Sequence, residues 1–305
     1  MSLALLFPGQ GAQHPAMLGW LDACPEAAAT LQHLAARLGA DWRARLADTD
    51  WAQRNAVAQP LLTGLGIAAW QCLAAKLPAP AVVAGYSVGE LAAFCVAGVF
   101  EAELALALAC DRAAAMDRSV AGQDTGLLAV QWPDSAGLAA ACQRHGLAVA
   151  IRIAADRVVL GGRSDALAAA EPELLAAGAR CTRLAVRIAS HTPFVQAAAA
   201  EFEARLAALV FTPPRPALVC NFSGAAERQP ARLKRALAQQ ISATVQWDSG
   251  LDAIAERRVR CLLEVGPGHA LAALWNDRHP DIPARSVDEF RSAEAVAHWV
   301  DAALR

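Results

Sequence analysis

Gly85-Tyr-Ser87-Val-Gly89 sets one serine between two glycines, directly after the apolar run Ala81 to Ala84 and directly before a helical pattern starting at Glu90. In that context a G-x-S-x-G segment forms a nucleophile elbow, because small flanking residues let the chain turn sharply and lift the hydroxyl out of the sheet. The chemistry this points to is acyl transfer through a serine ester, with the oxyanion favoured by backbone N–H groups at the positive end of the following helix. A neutral hydroxyl is a weak nucleophile and needs a base within hydrogen-bond reach. Of the seven histidines, His191 stands where a strand is expected to end and a helix to begin, with Ser190 or Thr192 as cap and Pro193 at the first helical position. His269 also follows a strand, beyond Gly266-Pro-Gly268, and is the second candidate. The first loop, Gly9-Gln10-Gly11, has glycines that let backbone approach a ligand closely, and it is a candidate for the second oxyanion donor.

The elements that must hold these residues follow from hydrophobic patterning. Leu3 to Phe7 is a buried strand closed by Pro8-Gly9, and helical patterns occupy about 25–47 and 58–76. Ala81 to Ala84 is the next strand, leading through the elbow into a helix from Glu90 to Ala97; another helix runs from Glu103 to Arg118. Between Thr125 and Ala189 the expected order is strand 126–132, helix 134–145, strands 147–153 and 157–160, helix 165–177 and strand 181–188. This βαββαβ order is that of ferredoxin-like folds. After His191 come a helix (194–209), a strand (217–221), helices near 229–240 and 248–256, a strand (261–265) and a final helix (294–304). The predicted fold class is α/β: an α/β-hydrolase-like core with a parallel sheet, residues 1–124 and 190–305, and an inserted ferredoxin-like small subdomain, residues 125–189, with a cleft between the two.

Composition narrows the partners. With 27 Lys+Arg against 29 Asp+Glu the net charge is -2, and 56% of the 305 residues are hydrophobic but only 6% aromatic. Long disordered tracts are excluded by that hydrophobicity, and a polyanionic nucleic-acid partner by the absence of any basic run. The eight cysteines form no C-x-x-C and no zinc spacing, so they read as buried thiols of a cytoplasmic protein, with no metal site expected. The uncharged stretch Asn55 to Ala75 is long enough to raise the question of a membrane, but Gln59, Pro60 and Gln71 interrupt it and it reads as a core helix. No membrane partner and a monomer are expected.

Taken together, these segments resemble the malonyl-CoA:acyl carrier protein transacylase family. Phe7-Pro-Gly-Gln-Gly-Ala-Gln13, Ala58-Gln-Pro60, Gly85-Tyr-Ser-Val-Gly-Glu90, Ser190-His191, Val245-Gln-Trp247 and Glu264-Val-Gly-Pro-Gly268 match its motifs in order over nearly the whole chain. The resemblance implies that Ser87 carries the acyl group and that His191 is base and then acid, oriented by a carbonyl near Gln240 in place of a carboxylate. It further implies an oxyanion hole from the N–H groups of Gln10 and Val88, and substrate binding by Arg112 together with Gln240. Arg112 would pair with the free carboxylate of a malonyl group, for which a guanidinium fork is the matching shape.

Malonyl-CoA and an acyl carrier protein are then the partners, and no cofactor is needed. Tyr86 stands where transacylases of fatty acid synthesis usually have histidine. With the closing stretch Ala284 to Arg291, it resembles the epsilon subunit of malonate decarboxylase, which loads a carrier bearing a phosphoribosyl-dephospho-CoA arm. The sequence therefore puts the decarboxylase carrier first as acceptor and a carrier of fatty acid or polyketide synthesis second. Two other readings compete: a serine hydrolase, which shares the elbow but orders its histidine late in the chain, and a non-catalytic carrier-binding subunit.

Overall fold

The computed structural model describes residues 2–305. From the N-terminus, β1 (Leu3–Phe7) is followed by helices α1 (Ala28–Leu38), α2 (Trp42–Arg45), α3 (Thr49–Gln53) and α4 (Asn55–Leu73), then by β2 (Val82–Gly85), α5 (Gly89–Val96) and α6 (Ala102–Ser119). A second group comprises β3 (Thr125–Gln131), α7 (Ser135–His145), β4 (Ala148–Ala154), β5 (Arg157–Arg163), α8 (Ser164–Ala176) and β6 (Arg180–Arg183). The chain then forms α9 (Gln196–Ala207), β7 (Ala217–Cys220), β8 (Ala225–Glu227), α10 (Pro230–Gln239), β9 (Val245–Gln246), α11 (Trp247–Ala255), β10 (Cys261–Glu264), α12 (Ala270–Arg278), β11 (Ala284–Ser286) and α13 (Ala293–Leu304).

The larger sheet has the order β11-β10-β1-β2-β7-β8 and is parallel except for the edge strand β8, which pairs antiparallel with β7. Its central strands β1, β2 and β10 are buried along their whole length, which is why they read as short uninterrupted apolar runs. The α/β class with a parallel sheet is thus as the sequence predicts. The smaller sheet, β6-β3-β5-β4-β9, has the antiparallel ferredoxin-like order in its first four strands. Its fifth strand, the two-residue β9, comes from beyond that segment and joins β4 in parallel.

Three apolar clusters hold these layers together. One lies under α4, α5 and α6 on one face of the larger sheet. The second joins Leu6, Val82, Ala84 and Val219 of that sheet to Leu127, Ala150, Ile151 and Val159 of the smaller one. The third fills the space between the smaller sheet and its helices.

Helix α4 is long and apolar enough to cross a membrane by length and composition, yet 83% of its most apolar window is buried inside the protein. It is a core helix, as expected. Two expectations need correction. The strand predicted for 181–188 ends at Arg183, because residues 184–190 leave the sheet edge and turn back toward the larger sheet; the Ala189 N–H donates to Thr125 Oγ1 and Thr125 Oγ1 donates to the Arg187 carbonyl. The cysteines are not all thiols. Cys24 and Cys72 are joined as a disulfide, Cα atoms 6.2 Å apart. The turn at Cys24 packs on α4, and a separation of 48 residues carries no local signature of that contact.

Candidate active site

Ser87 sits at the carboxyl end of β2, between that strand and the first turn of α5, with φ +55°. A non-glycine residue in this left-handed region costs about 1–3 kcal/mol unless its surroundings impose it. Here they do. A Cβ on Gly85 would lie 2.1 Å from the Gly89 carbonyl carbon, and one on Gly89 would lie 2.2 Å from the Phe7 oxygen, so only glycines let the elbow fold this tightly against the end of β1.

Ser87 Oγ lies 2.8 Å from His191 Nε2. His191 Nδ1 lies 2.5 Å from the Gln240 main-chain oxygen. Because a carbonyl only accepts, Nδ1 carries the proton, and Nε2 is left bare to accept from the serine. The histidine is held in turn by its own N–H, which donates to the Ile241 carbonyl at 2.7 Å, and by the following turn, where Thr192 caps Pro193–Val195 as the sequence suggests. His269 stands apart from this pair. It is exposed at the start of α12, lining a surface cleft with His14 and Asp288.

Burial, followed by the nearby Arg112 cation, pushes the His191 pKa down to about 3, and the Gln240 carbonyl opposes this in part. The imidazole is therefore a neutral base far below the usual range. A histidine titrating at 6.5 would be only about 3% neutral at pH 5. We expect modification of Ser87 by a fluorophosphonate to keep most of its pH 7 rate at pH 5; an acid limb near 6.5 in that profile would contradict the assignment. The linked effect on folding has the opposite convenience. The unfolded chain takes up this proton first, so stability is lost as pH falls from about 6.5 toward 3.

Arg112, on α6, is completely buried. Nη1 donates to Gln59 Oε1 on α4 at 2.8 Å, Nη2 donates to Gln240 Oε1 at 3.3 Å, and Nη2 also stands 3.5 Å from Ser87 Oγ. Among the described residues, its Nε has no hydrogen-bond partner. A buried guanidinium held by two neutral amides, with donor capacity left over beside the Ser87 hydroxyl, can accept an anionic group. Burial pulls the Arg112 pKa down to about 10, opposed by the Glu90 carboxyl, whose own pKa burial pushes up to about 8.

Gln10 lies in the loop after β1, which pairs with β2 up to Gly85, and Val88 directly follows Ser87. Among the described residues, neither backbone N–H donates to a protein acceptor. The first loop is pinned by Gln10 Nε2 to Asn55 Oδ1 at 3.0 Å and by Asn55 Nδ2 to Asp117 Oδ1 at 2.9 Å.

Sequence reasoning gave no role to Gln59, Glu90 or Asn221, although Gln59 and Glu90 lie inside quoted motifs. Gln59 had a signal, being one of the few polar side chains in a largely apolar helix. Asn221 had a weaker one, its place at the carboxyl end of a parallel strand, where ligand sites gather.

An acyl transferase domain model matches residues 4–299. The chain belongs to the acyl transferase family. Among other acyl transferases, it is 34% identical to the malonyl CoA-acyl carrier protein transacylase of Mycobacterium bovis over 97% of this chain and 99% of the relative. It is similar to the crystal structure of MCAT from Mycobacterium tuberculosis, with TM-score 0.87, 33% identity and coverage of 97% of this chain and 100% of that one. A second similar structure is a type II PKS acyl-carrier protein in complex with its malonyl-transacylase, with TM-score 0.91, 27% identity and coverage of 98% and 99%. The acyl transferase fold is shared over nearly the whole chain, and the serine and histidine described above lie inside the matched span.

Proposed function

We propose that the protein transfers malonyl from malonyl-CoA to the phosphopantetheine-type thiol of an acyl carrier protein, through an ester on Ser87. The observation that carries this reading is Arg112. In a malonyl ester the free carboxylate lies three bonds from Oγ, within reach of a guanidinium 3.5 Å from that oxygen. An acetyl group offers nothing to the same donors.

Ser87 Oγ attacks the thioester carbonyl while its proton passes to His191 Nε2, and the tetrahedral oxyanion takes the Gln10 and Val88 N–H groups. Collapse expels CoA as its thiol, with the proton returned from His191. The carrier thiol then gives its proton to His191, attacks the ester, and Ser87 recovers its proton as the ester bond breaks. No carboxylate backs the histidine. The Gln240 carbonyl stabilises the transient imidazolium by accepting from Nδ1. With a CoA thioester as donor, the cytoplasm is the place of reaction.

Of the two acceptors the sequence resemblance raises, a transacylase carrier has the better support, because the similar proteins are named as transacylases. The decarboxylase reading rests on Tyr86, which is partly buried and packs edge-on against Trp247 with centroids 5.0 Å apart. The test is to load the enzyme with labelled malonyl-CoA, isolate the malonyl-serine species, and discharge it onto each purified carrier. We expect a fatty-acid or polyketide carrier to accept malonyl faster. Faster discharge onto the decarboxylase carrier would assign the chain to malonate decarboxylation, and release to water alone would support a hydrolase.

A further inference from the structure

Asn221 follows the end of β7, which pairs with β2 through Ala84 and Val219, so it stands beside the elbow. Its side chain spans the turn. Oδ1 accepts the Ser87 N–H at 2.8 Å, and Nδ2 donates to the Gly85 carbonyl at 2.5 Å. Its main chain is held on both sides: the Asn221 N–H donates to Glu90 Oε1 at 2.7 Å, and the Asn221 carbonyl accepts the Gln246 N–H at 2.8 Å. Asn221 and Glu90 are both buried.

We propose that Asn221 is a positioning residue for the nucleophile: its amide clamps the elbow between Gly85 and Ser87, and by engaging the Ser87 N–H it leaves the oxyanion to Val88 and Gln10. The proposal rests on Ser87 being the nucleophile, as above. The chemistry of the clamp is specific. It needs one acceptor and one donor on a single short planar group, which an amide supplies and a leucine of the same shape does not. With the clamp gone, a buried N–H and a buried carbonyl lose their partners, and the left-handed turn at Ser87 loses a constraint that opposes its strain. Relaxation of the turn moves Oγ away from His191 Nε2. Glu90 fixes the clamp's own backbone and is thus one step further from the chemistry.

Three proteins test this: wild type, Asn221→Ala and Asn221→Asp. Formation of malonyl-serine in a single turnover with malonyl-CoA is measured by mass, labelling by a fluorophosphonate is measured in parallel, and thermal melts report folding. Asn221→Ala should slow both Ser87 reactions by about 10²-fold, the usual cost of misplacing a reacting group by about an ångström. Its KM for malonyl-CoA should change little, because Arg112 is untouched.

Asn221→Asp carries a sharper signature. A protonated carboxyl reproduces both bonds, O–H to the Gly85 oxygen and C=O from the Ser87 N–H, whereas a carboxylate repels the Gly85 oxygen. Its rate relative to wild type should therefore rise as pH falls. The titratable groups around the clamp are Glu90 on α5, with Arg112 on α6 acting on it, Tyr86 at the elbow, Cys220 on β7 and His191 against Ser87 Oγ, neutral down to about pH 3. All are present in both proteins; Glu90, whose carboxyl accepts the residue-221 N–H, couples to the added carboxyl, and repulsion between the two raises the pH at which that carboxyl protonates without reversing the rise in the ratio.

A merely structural role would lower the melting temperature and leave that ratio flat with pH. A flat ratio overturns the proposal, as does a folded Asn221→Ala that acylates at the wild-type rate. If wild type labels with the fluorophosphonate but forms no malonyl-serine, the malonyl reading fails instead, and the clamp is judged on the fluorophosphonate rates.

Discussion

Ser87→Ala is expected to abolish the malonyl-enzyme and to lower malonyl transfer by about 10⁶-fold, the scale on which a nucleophile and its base act as one unit. The single hydrogen bond from Ser87 Oγ to His191 Nε2 ties the two losses together. His191→Ala should cost about as much as Ser87→Ala, and the double variant no more than either, since removing one member already disables the other. What activity remains would come from binding and from the two backbone donors, which neither substitution touches. Intact-mass spectrometry after mixing with malonyl-CoA checks the first claim and transfer assays the second. A Ser87→Ala protein that still gains the malonyl mass, or single losses that multiply in the double variant, would overturn the assignment.

Arg112→Ala should lose malonyl transfer by about 10²- to 10⁴-fold in kcat/KM while acetyl transfer falls by no more than about tenfold. The estimate comes from two charge-assisted bonds at about 1.5–3 kcal/mol each. Because the guanidinium is fully buried and bonded to Gln59 and Gln240, its removal also strands two acceptors, which is the reason to expect some loss with either donor. Arg112→Lys should recover only part of the malonyl rate. An ammonium is a point charge and cannot hold two amides and a carboxylate in one plane. Competition between labelled malonyl-CoA and acetyl-CoA measures the ratio directly, and equal losses for both donors would remove Arg112 from selectivity.

The elbow and His191 were legible because each leaves a local mark, glycines around a serine and a histidine two positions ahead of a proline, whereas Arg112 came only from the family resemblance. The parallel sheet was legible for a similar reason, since β1, β2 and β10 are buried on both faces and read as short apolar runs. Helix α12 was missed. Its residues Leu271, Ala272 and Trp275 are buried, but the helix directly follows a Gly-Pro-Gly turn and shows no clear apolar stripe. Strands β8, β9 and β11 are two or three residues long, below the length at which alternation can be seen. Asn221 and the Cys24–Cys72 pair depend on contacts 134 and 48 residues apart, which only the folded chain brings together.

Strand β9 gives the site a mechanical side. Its two residues pair with Ile151 and Arg152 of the smaller sheet, and Gln246 at the same time donates to the Asn221 carbonyl. Just upstream, Gln240 and Ile241 grip His191. A swing of the smaller sheet away from the larger one would therefore pull on the supports of nucleophile and base together. Residues 240–246 thus form one short tether through which the supports of both side chains are coupled to the smaller sheet.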